Sequence, residues 1–229
     1  MKNKLGTEHE NLDHKVYKTL KSMILEQKLV PGAKIYQDKL AQELGISRTP
    51  LVGALKKLEQ EKLITAIPRR GFYVRHFSNQ EMIQIFELRE VLEGLAARRA
   101  SLCISDDQVH KLQGFFKGLK ISGNAKSVEK YAKEDRRFHN FLIEIGGDEL
   151  LTSILGTYSI ITFSYLVGFR SGLVRPPKET LPEHLAIIEA ITGKNPEKSE
   201  QAARLHLRRS SEKLIKEIEG EKTKKILKG

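Results

Sequence analysis

Cysteine is nearly absent from this 229-residue chain, in which Cys103 is the single example. One thiol cannot build a disulfide framework, and such a composition is typical of a protein in a reducing cytoplasm. The N-terminal residues are polar and lack the apolar core of a signal peptide, so we expect a cytoplasmic location. Cys103 ends an apolar helix face, which predicts a small buried side chain rather than a reactive thiol.

Long uncharged apolar runs are also scarce, and only residues 150–169 form one. This segment is long enough to cross a bilayer. However, it is diluted by hydroxyl side chains and has no equally apolar partner in the chain. We therefore expect no membrane association. A helix that is apolar nearly all round predicts a core helix of a bundle, which can also line a polar cavity or a subunit contact.

Acidic residues are too few to balance the basic ones, and the formal net charge is +11. Residues 1–78 hold 15 Lys and Arg against 8 Asp and Glu, a net charge of +7. Residues 79–220 hold 21 against 20, a net charge of +1. This asymmetry predicts a module that binds a polyanion, joined to a nearly neutral domain of a different kind.

The stretch from Ser47 to Val74 has the pattern of a helix followed by a small hairpin. Ser47 suits a helix N-cap and Pro50 suits the first turn, after which leucines recur at helical spacing. Two short β-prone runs follow, and the turn between them carries Arg69, Arg70 and Gly71. A short helix upstream, ending before a glycine, completes a winged helix-turn-helix. A small α+β domain with merely solvated charges is the alternative.

The remainder of the chain is helical in pattern. The fold class predicted is mainly α, an N-terminal winged helix-turn-helix plus a C-terminal antiparallel all-α bundle. The bundle helices are expected at about 79–101, 105–121, 126–146, 148–170, 178–193 and 196–219. The domain boundaries expected are a flexible N-terminus at 1–10, the winged domain at 11–77, the six-helix bundle at 78–220 and a basic tail at 221–229.

Four side chains in the bundle form a possible metal-ligand set: Asp135, His139, His184 and His206. Asp135 and His139 are four residues apart and project from one helix face. His184 and His206 lie on two further helices. Three histidines and a carboxylate facing one core can bind a divalent cation. The histidines can instead be hydrogen-bonded core residues, and Asp135 can serve as a cap or an ion-pair partner.

Several segments together resemble bacterial transcription regulators of the GntR family, in the FCD subgroup. The resemblance lies in residues 32–35, 40–50, 54–59, 68–74, 88–97 and 135–139, and it covers about residues 12–219. It implies a homodimeric repressor or activator whose shorter, six-helix domain binds a small effector, often a carboxylate, beside a divalent metal. His184 and His206 fall where the remaining metal ligands of the subgroup are expected.

The resemblance places the helix that begins at Ser47 in the DNA major groove. Ser47, Arg48 and Thr49 then lie nearest to the bases and phosphates, and Arg48 can contact guanine in a bidentate manner. The wing residues noted above reach the adjacent minor groove or backbone, and Lys56 contacts phosphate. A dimer predicts a pseudo-palindromic operator in double-stranded DNA.

An imidazole-rich site favours zinc or nickel as the divalent metal. We expect Arg89 to balance the charge of the effector, with Tyr165 and Ser164 as polar contacts. Effector binding would shift the population of DNA-binding arrangements rather than drive catalysis. Two alternatives remain at this point. One is a metal-dependent hydrolase, although the sequence contains no HExxH motif. The other is a DNA-binding module whose metal is purely structural.

Three positions depart from the family pattern. Ser-Arg-Thr-Pro is usually followed by Val-Arg-Glu-Ala-Leu, whereas here Val52 replaces the arginine and Gly53 replaces the glutamate. Gly53 also weakens the helix by about 1 kcal/mol relative to alanine. Base reading is therefore expected to depend more on Arg48, Thr49 and the wing. Asp148, where the subgroup often has asparagine, is a lesser change.

Overall fold

The structure is a computed structural model that describes residues 7–170 and 173–226. The chain divides into two compact units, with the boundary between Phe77 and Ser78. The first helix begins at Thr7, earlier than expected, because nothing between Thr7 and Leu12 breaks a helix. The last helix continues to Ile226, and residues 1–6 and 227–229 of the two expected terminal segments lie outside the described residues.

The first unit contains three helices and a small sheet within the described residues. Its elements are α1 (Thr7–Leu25), β1 (Lys34–Ile35), α2 (Gln37–Glu43), α3 (Arg48–Gln60), β2 (Ile64–Ile67) and β3 (Gly71–Val74). The strands are antiparallel in the order β1-β3-β2, so β1, which precedes α2, pairs with the hairpin. Leu51, Leu55 and Leu58 of α3 are fully buried. The predicted winged helix-turn-helix is confirmed.

The turn between α2 and α3 differs from expectation in one detail. Gly45 adopts a φ of 65°, the left-handed conformation that lets the chain leave α2. Ser47 is the N-cap residue of α3, but its side chain makes no capping hydrogen bond. The expected side-chain cap was therefore wrong. The Ser47, Arg48 and Thr49 side chains are all exposed at the start of the helix.

The second unit is a bundle of helices. They are α4 (Asn79–Cys103), α5 (Asp106–Gly114), α6 (Ala125–Gly146), α7 (Glu149–Arg170), α8 (Pro177–Thr192) and α9 (Pro196–Ile226). This arrangement confirms the predicted all-α bundle. Capping boxes begin two helices, formed by Ser78 with Glu81 in α4 and by Ser105 with Gln108 in α5. Helix α5 ends well before the predicted residue 121, and Phe116 beyond it has a φ of 62°.

Helices α4 and α6 pack closely against each other, and a glycine at their contact makes this possible. At the C-terminal end of α6, a Cβ atom added to Gly146 would lie 1.9 Å from the backbone oxygen of Ala96. A side chain there would force the two helices apart. The glycine therefore permits the close approach that brings His139 of α6 beside Glu93 of α4.

The apolar run at residues 150–169 forms most of α7. Leu155, Ile161 and Leu166 are buried in the bundle unit. Among the described residues, none of the helices has both the length and the apolar character that a membrane span requires.

Cys103 corrects one expectation from the sequence. Its side chain is exposed rather than buried. The inward face of α4 is formed by small residues such as Ala96 and Ala100, and Cys103 lies past them, at the end of the helix. Its sulfur lies 3.4 Å from the carbonyl oxygen of Ile145.

Candidate metal centre

Four potential ligands converge in the interior of the bundle. Asp135 and His139 come from α6, His184 from α8 and His206 from α9. One donor atom from each lies within 4.8 Å of the donor atoms of all the others. The three histidines are buried and Asp135 is partly buried. The structure therefore brings together the full set that the sequence nominated.

The distances within this cluster fit a shared cation. His184 Nε2 lies 3.2 Å from His206 Nε2 and 3.2 Å from Asp135 Oδ1. Zinc–nitrogen bonds are about 2.1 Å long, so two nitrogens 3.2 Å apart would subtend about 100° at one ion, close to tetrahedral or octahedral geometry. Imidazole nitrogens and a carboxylate oxygen are also the donor types that borderline divalent metals prefer.

Each histidine is held through its other ring nitrogen. Nδ1 of His139 lies 2.6 Å from Glu93 Oε2, and Nδ1 of His206 lies 2.8 Å from Glu183 Oε2. Nδ1 of His184 lies 2.9 Å from the hydroxyl of Tyr131. Because Nδ1 is engaged in all three, Nε2 remains as the ligand atom. Carboxylate or hydroxyl partners of this kind orient metal-binding histidines and tune their basicity.

The charges around the cluster keep these supporting carboxylates ionised. Burial alone would raise the pKa of Glu93, but the positive charge of Arg89 and the hydrogen bond with His139 outweigh it and lower the pKa to about 2. Arg89 Nε lies 2.7 Å from Glu93 Oε1. Glu183 is affected in the same way: burial opposes ionisation, while hydrogen bonds from His206, Arg175 and Arg209 lower its pKa.

Burial has the opposite effect on the histidines. It lowers the pKa of His184 well below the usual value, and the neighbouring His206, His139 and Arg175 lower it further. Burial also lowers the pKa of His206, although its hydrogen bond with Glu183 opposes the shift. Both rings are therefore neutral near pH 7 and can offer a lone pair to a cation.

The sequence reasoning missed the residues that support the ligands. Glu93, Glu183, Tyr131 and Arg175 were not assigned a role, although Tyr131 lies four residues before Asp135 and Glu93 lies four after Arg89. That helical spacing placed each pair on one face. It did not reveal which face of α4 meets α6, because that depends on tertiary packing.

A cavity of about 50 Å³ lies beside the cluster. Its wall includes Arg89, the residue expected to balance an effector, together with Asp135 and His139. Tyr165 is buried but is not among the lining residues, and its hydroxyl donates a hydrogen bond to Asn79 Oδ1. The side chain of Ser164 lies outside the described residues. The structure thus places Arg89 at the cavity, whereas Tyr165 does not line it.

The first unit contains a second concave surface, a basic groove of about 490 Å³. It is lined by Lys34, Ile35, Tyr36, Gln37, Asp38, Lys39, Arg48, Arg69, Arg70 and Gly71. The start of α3 and the tip of the hairpin therefore face the same space. Arg48 Nη1 lies 3.2 Å from Asp38 Oδ1, and both side chains are largely exposed. Lys56 is exposed on α3 but does not line the groove.

The hairpin tip is a tight turn. The amide of Arg70 donates to the carbonyl of Ile67 over 2.9 Å, and Pro68 and Arg69 occupy the corners. Arg69 has a φ of 61°, a conformation that glycine usually adopts at this position of a turn, and Gly71 has a φ of 92°. A non-glycine residue in this region is strained, which is frequent where a side chain must be presented for binding.

Both units of the chain match known protein families. The model of bacterial regulatory proteins of the gntR family matches residues 12–74, and the FCD domain model matches residues 84–209. The chain belongs to the GntR family. This GntR-family chain is therefore a DNA-binding transcription regulator with an FCD domain. Since the family consists of regulators, the prediction that the protein is not an enzyme is confirmed, and the hydrolase alternative is discarded.

Three relatives of this chain are named as regulators of transcription. The chain is 25% identical to the HTH-type transcriptional repressor RspR of Escherichia coli K12, over 88% of each protein. It is 26% identical to the Nta operon transcriptional regulator of Aminobacter aminovorans, over 83% of this chain and 88% of that one. The Bacillus licheniformis gluconate operon transcriptional repressor is also 26% identical, over 77% of this chain and 74% of the repressor.

Solved structures support the same fold. E. coli McbR/YncC superimposes with a TM-score of 0.71 at 18% identity, covering 90% of this chain and 98% of McbR/YncC. A putative GntR transcriptional regulator from Rhodococcus sp. RHA1 gives a TM-score of 0.69 at 18% identity, covering 89% and 97%. The fold of this GntR-family chain is thus found in solved structures of low sequence identity.

Proposed function

We propose that a small carboxylate, bound beside a divalent metal in the FCD domain, sets the affinity of this regulator for its operator. The convergence of Asp135, His139, His184 and His206 within 4.8 Å carries the proposal. A bound divalent ion would supply positive charge and open coordination positions for a carboxylate oxygen. The imidazole-rich ligand set favours zinc or nickel.

Arg89 is the protein's own contribution to anion binding. Its guanidinium lies in the cavity wall while Glu93 holds its Nε. Glu93 also holds His139, so one buried carboxylate orients both a metal ligand and the cationic side chain. An effector carboxylate that contacts Arg89 would therefore interact with a side chain that Glu93 connects to the metal ligand His139. This arrangement supports coupling between metal binding and effector binding.

In the DNA-binding domain, we assign Ser47, Arg48 and Thr49 to the major groove and the wing residues to the flanking backbone or minor groove. This assignment is supported by the basic groove, which the start of α3 and the hairpin tip line together. Lys56 is exposed on α3 and is assigned to phosphate. We further propose that the regulator acts as a repressor, as the names of two relatives say of those proteins.

We also propose a homodimer that binds a pseudo-palindromic operator. Helix α4 exposes an apolar stripe at helical spacing, formed by Leu88, Val91, Leu95 and Leu102. A glutamate at Val91, in the middle of this stripe, is expected to shift the protein from dimer to monomer. Light scattering gives the mass directly, against 26.0 kDa for one chain. A monomeric wild-type protein would contradict the proposal.

The regulatory part is tested by measuring operator affinity in the presence of metal and acid. An operator sequence is first selected from random DNA with the full-length protein. Fluorescence anisotropy is then expected to show a change in Kd of about 5-fold to 150-fold when acetate or a related small acid is added to zinc-loaded or nickel-loaded protein. The metal-free protein should not respond. If metal raises thermal stability but no acid changes operator affinity, the metal is purely structural.

A further inference from the structure

One wall of the cavity beside the candidate metal centre is formed by residues that do not belong to the ligand set. Helix α7 contributes Ser159, Thr162 and Leu166 to it. The first two positions are three residues apart, so their hydroxyl groups lie on one face of the helix. Ser159 and Thr162 therefore border the same space as Arg89 and His139.

Thr162 is the more informative of the two hydroxyl residues. Its side chain is 4% exposed, and Oγ1 has no hydrogen-bond partner among the described residues. A threonine in a helix usually satisfies its hydroxyl with the carbonyl four residues earlier, as Thr157 does with Ser153 on the same helix. A buried hydroxyl without a partner is costly, so native structures rarely keep one without a reason.

Ser159 is buried as well, but it is partly engaged. Its Oγ donates to Asn140 Oδ1 over 3.0 Å, which leaves the oxygen lone pairs to accept a further hydrogen bond. Thr162 can both donate and accept. The two hydroxyls together can therefore receive an oxygen function that is itself a donor or an acceptor, such as a hydroxyl or a carboxylate.

We propose that Ser159 and Thr162 form a subsite for a second oxygen function on the effector. This inference rests on the proposed function, because the first carboxylate of the effector is placed at the metal and Arg89. The ligand class is then a short carboxylic acid that carries a hydroxyl or a second carboxylate, rather than one with an apolar tail. The cavity volume of about 50 Å³ favours a ligand of few atoms.

Binding of three four-carbon acids to the metal-loaded, full-length protein tests the subsite. Calorimetry with butyrate, 3-hydroxybutyrate and succinate compares an unsubstituted chain with one that carries a hydroxyl group and with one that carries a second carboxylate. The wild-type protein is expected to bind the better of the two oxygenated acids about 3-fold to 10-fold more tightly than butyrate, the range that one hydrogen bond supplies. The acid preferred identifies the oxygen function.

Thr162→Val removes the hydroxyl while keeping the branched shape of the side chain. The variant is expected to lose the preference but to keep its affinity for butyrate and for the metal. Without ligand, it should melt about 2–4 °C higher than the wild type, because an unsatisfied buried hydroxyl has been removed. Thr157→Val, in which the hydroxyl bonded to Ser153 is lost, is the matched control and should retain the preference.

The results separate the subsite from the proposed function. If carboxylates bind but the oxygenated acids have no advantage over butyrate, or if Thr162→Val keeps the advantage, the subsite assignment is wrong and the metal–carboxylate proposal stands. If neither acetate nor any of the three acids binds the metal-loaded protein, both proposals fail. A melting temperature that falls in Thr162→Val would show a structural role for the hydroxyl and overturn the subsite.

Discussion

The His184→Gln variant is expected to lose more than about 100-fold in affinity for zinc or nickel. His184 is fully buried and its Nε2 lies 3.2 Å from both Asp135 Oδ1 and His206 Nε2. Outer partners of metal-bound histidines typically contribute about 10-fold to 100-fold in affinity, and a direct ligand is expected to exceed that range. Calorimetric titration of metal-free protein with each ion measures the loss.

Thermal stability gives an independent readout of the same variant. A ligand at 1,000 times its Kd stabilises a folded protein by about 4 kcal/mol, so the wild type should melt at a clearly higher temperature with metal. The His184→Gln variant should not respond. Tyr131→Phe removes only the partner of His184 Nδ1 and should lose about 10-fold to 100-fold.

His110→Gln is the control for these measurements. His110 is exposed, and its Nδ1 lies 2.8 Å from the carbonyl oxygen of Asp106 within α5. The His110→Gln variant should bind metal as the wild type does. Full metal affinity in His184→Gln would contradict the assigned site, whereas equal losses in His110→Gln and His184→Gln would indicate adventitious binding by surface histidines.

The general fold could be predicted because its signals are local. Leucines at helical spacing marked α3, and breaks formed by Ser-Asp-Asp, glycine or proline residues separated the bundle helices, so element types and order followed from the sequence. The end of α5 could not be placed in this way. Phe115 and Phe116 continue an apolar pattern, yet they leave the helix and are buried against Phe138. Tertiary packing therefore ended a helix that the pattern alone would have extended.

The candidate site shows the same division between local and tertiary information. Four-residue spacing put Asp135 and His139 on one face, but their meeting with His184 and His206 depends on how three helices pack. The part of the cavity wall that α7 forms depends on the rotation of this helix about its axis. Because that helix is apolar nearly all round, the sequence did not indicate which of its side chains line the cavity, and it did not nominate Ser159 or Thr162, which do.

Replacement of the three arginines that line the basic groove, Arg48, Arg69 and Arg70, by alanine is expected to abolish operator recognition. Arg48→Ala alone should cost about 1–3 kcal/mol on the selected operator and relax base preference at one position of each half-site, because a bidentate contact with guanine is lost. Val52 stands where the family usually has arginine, so the helix has no substitute for this contact. Fluorescence anisotropy with operator and with single-base variants of it measures the change.

The wing arginines should act differently from Arg48. The Arg69→Ala/Arg70→Ala variant is expected to weaken binding to all sequences and to reduce the slope of log Kd against log salt by about 0.9 for each phosphate contact removed. Lys28→Ala, an exposed residue outside the groove whose Nζ pairs with Glu26, should change neither quantity. If Arg48→Ala kept full base preference while the wing variant lost it, the roles of helix and wing would have to be exchanged. Sequence recognition would then depend on the strained turn at Arg69, because the hairpin tip would have to contact the bases directly.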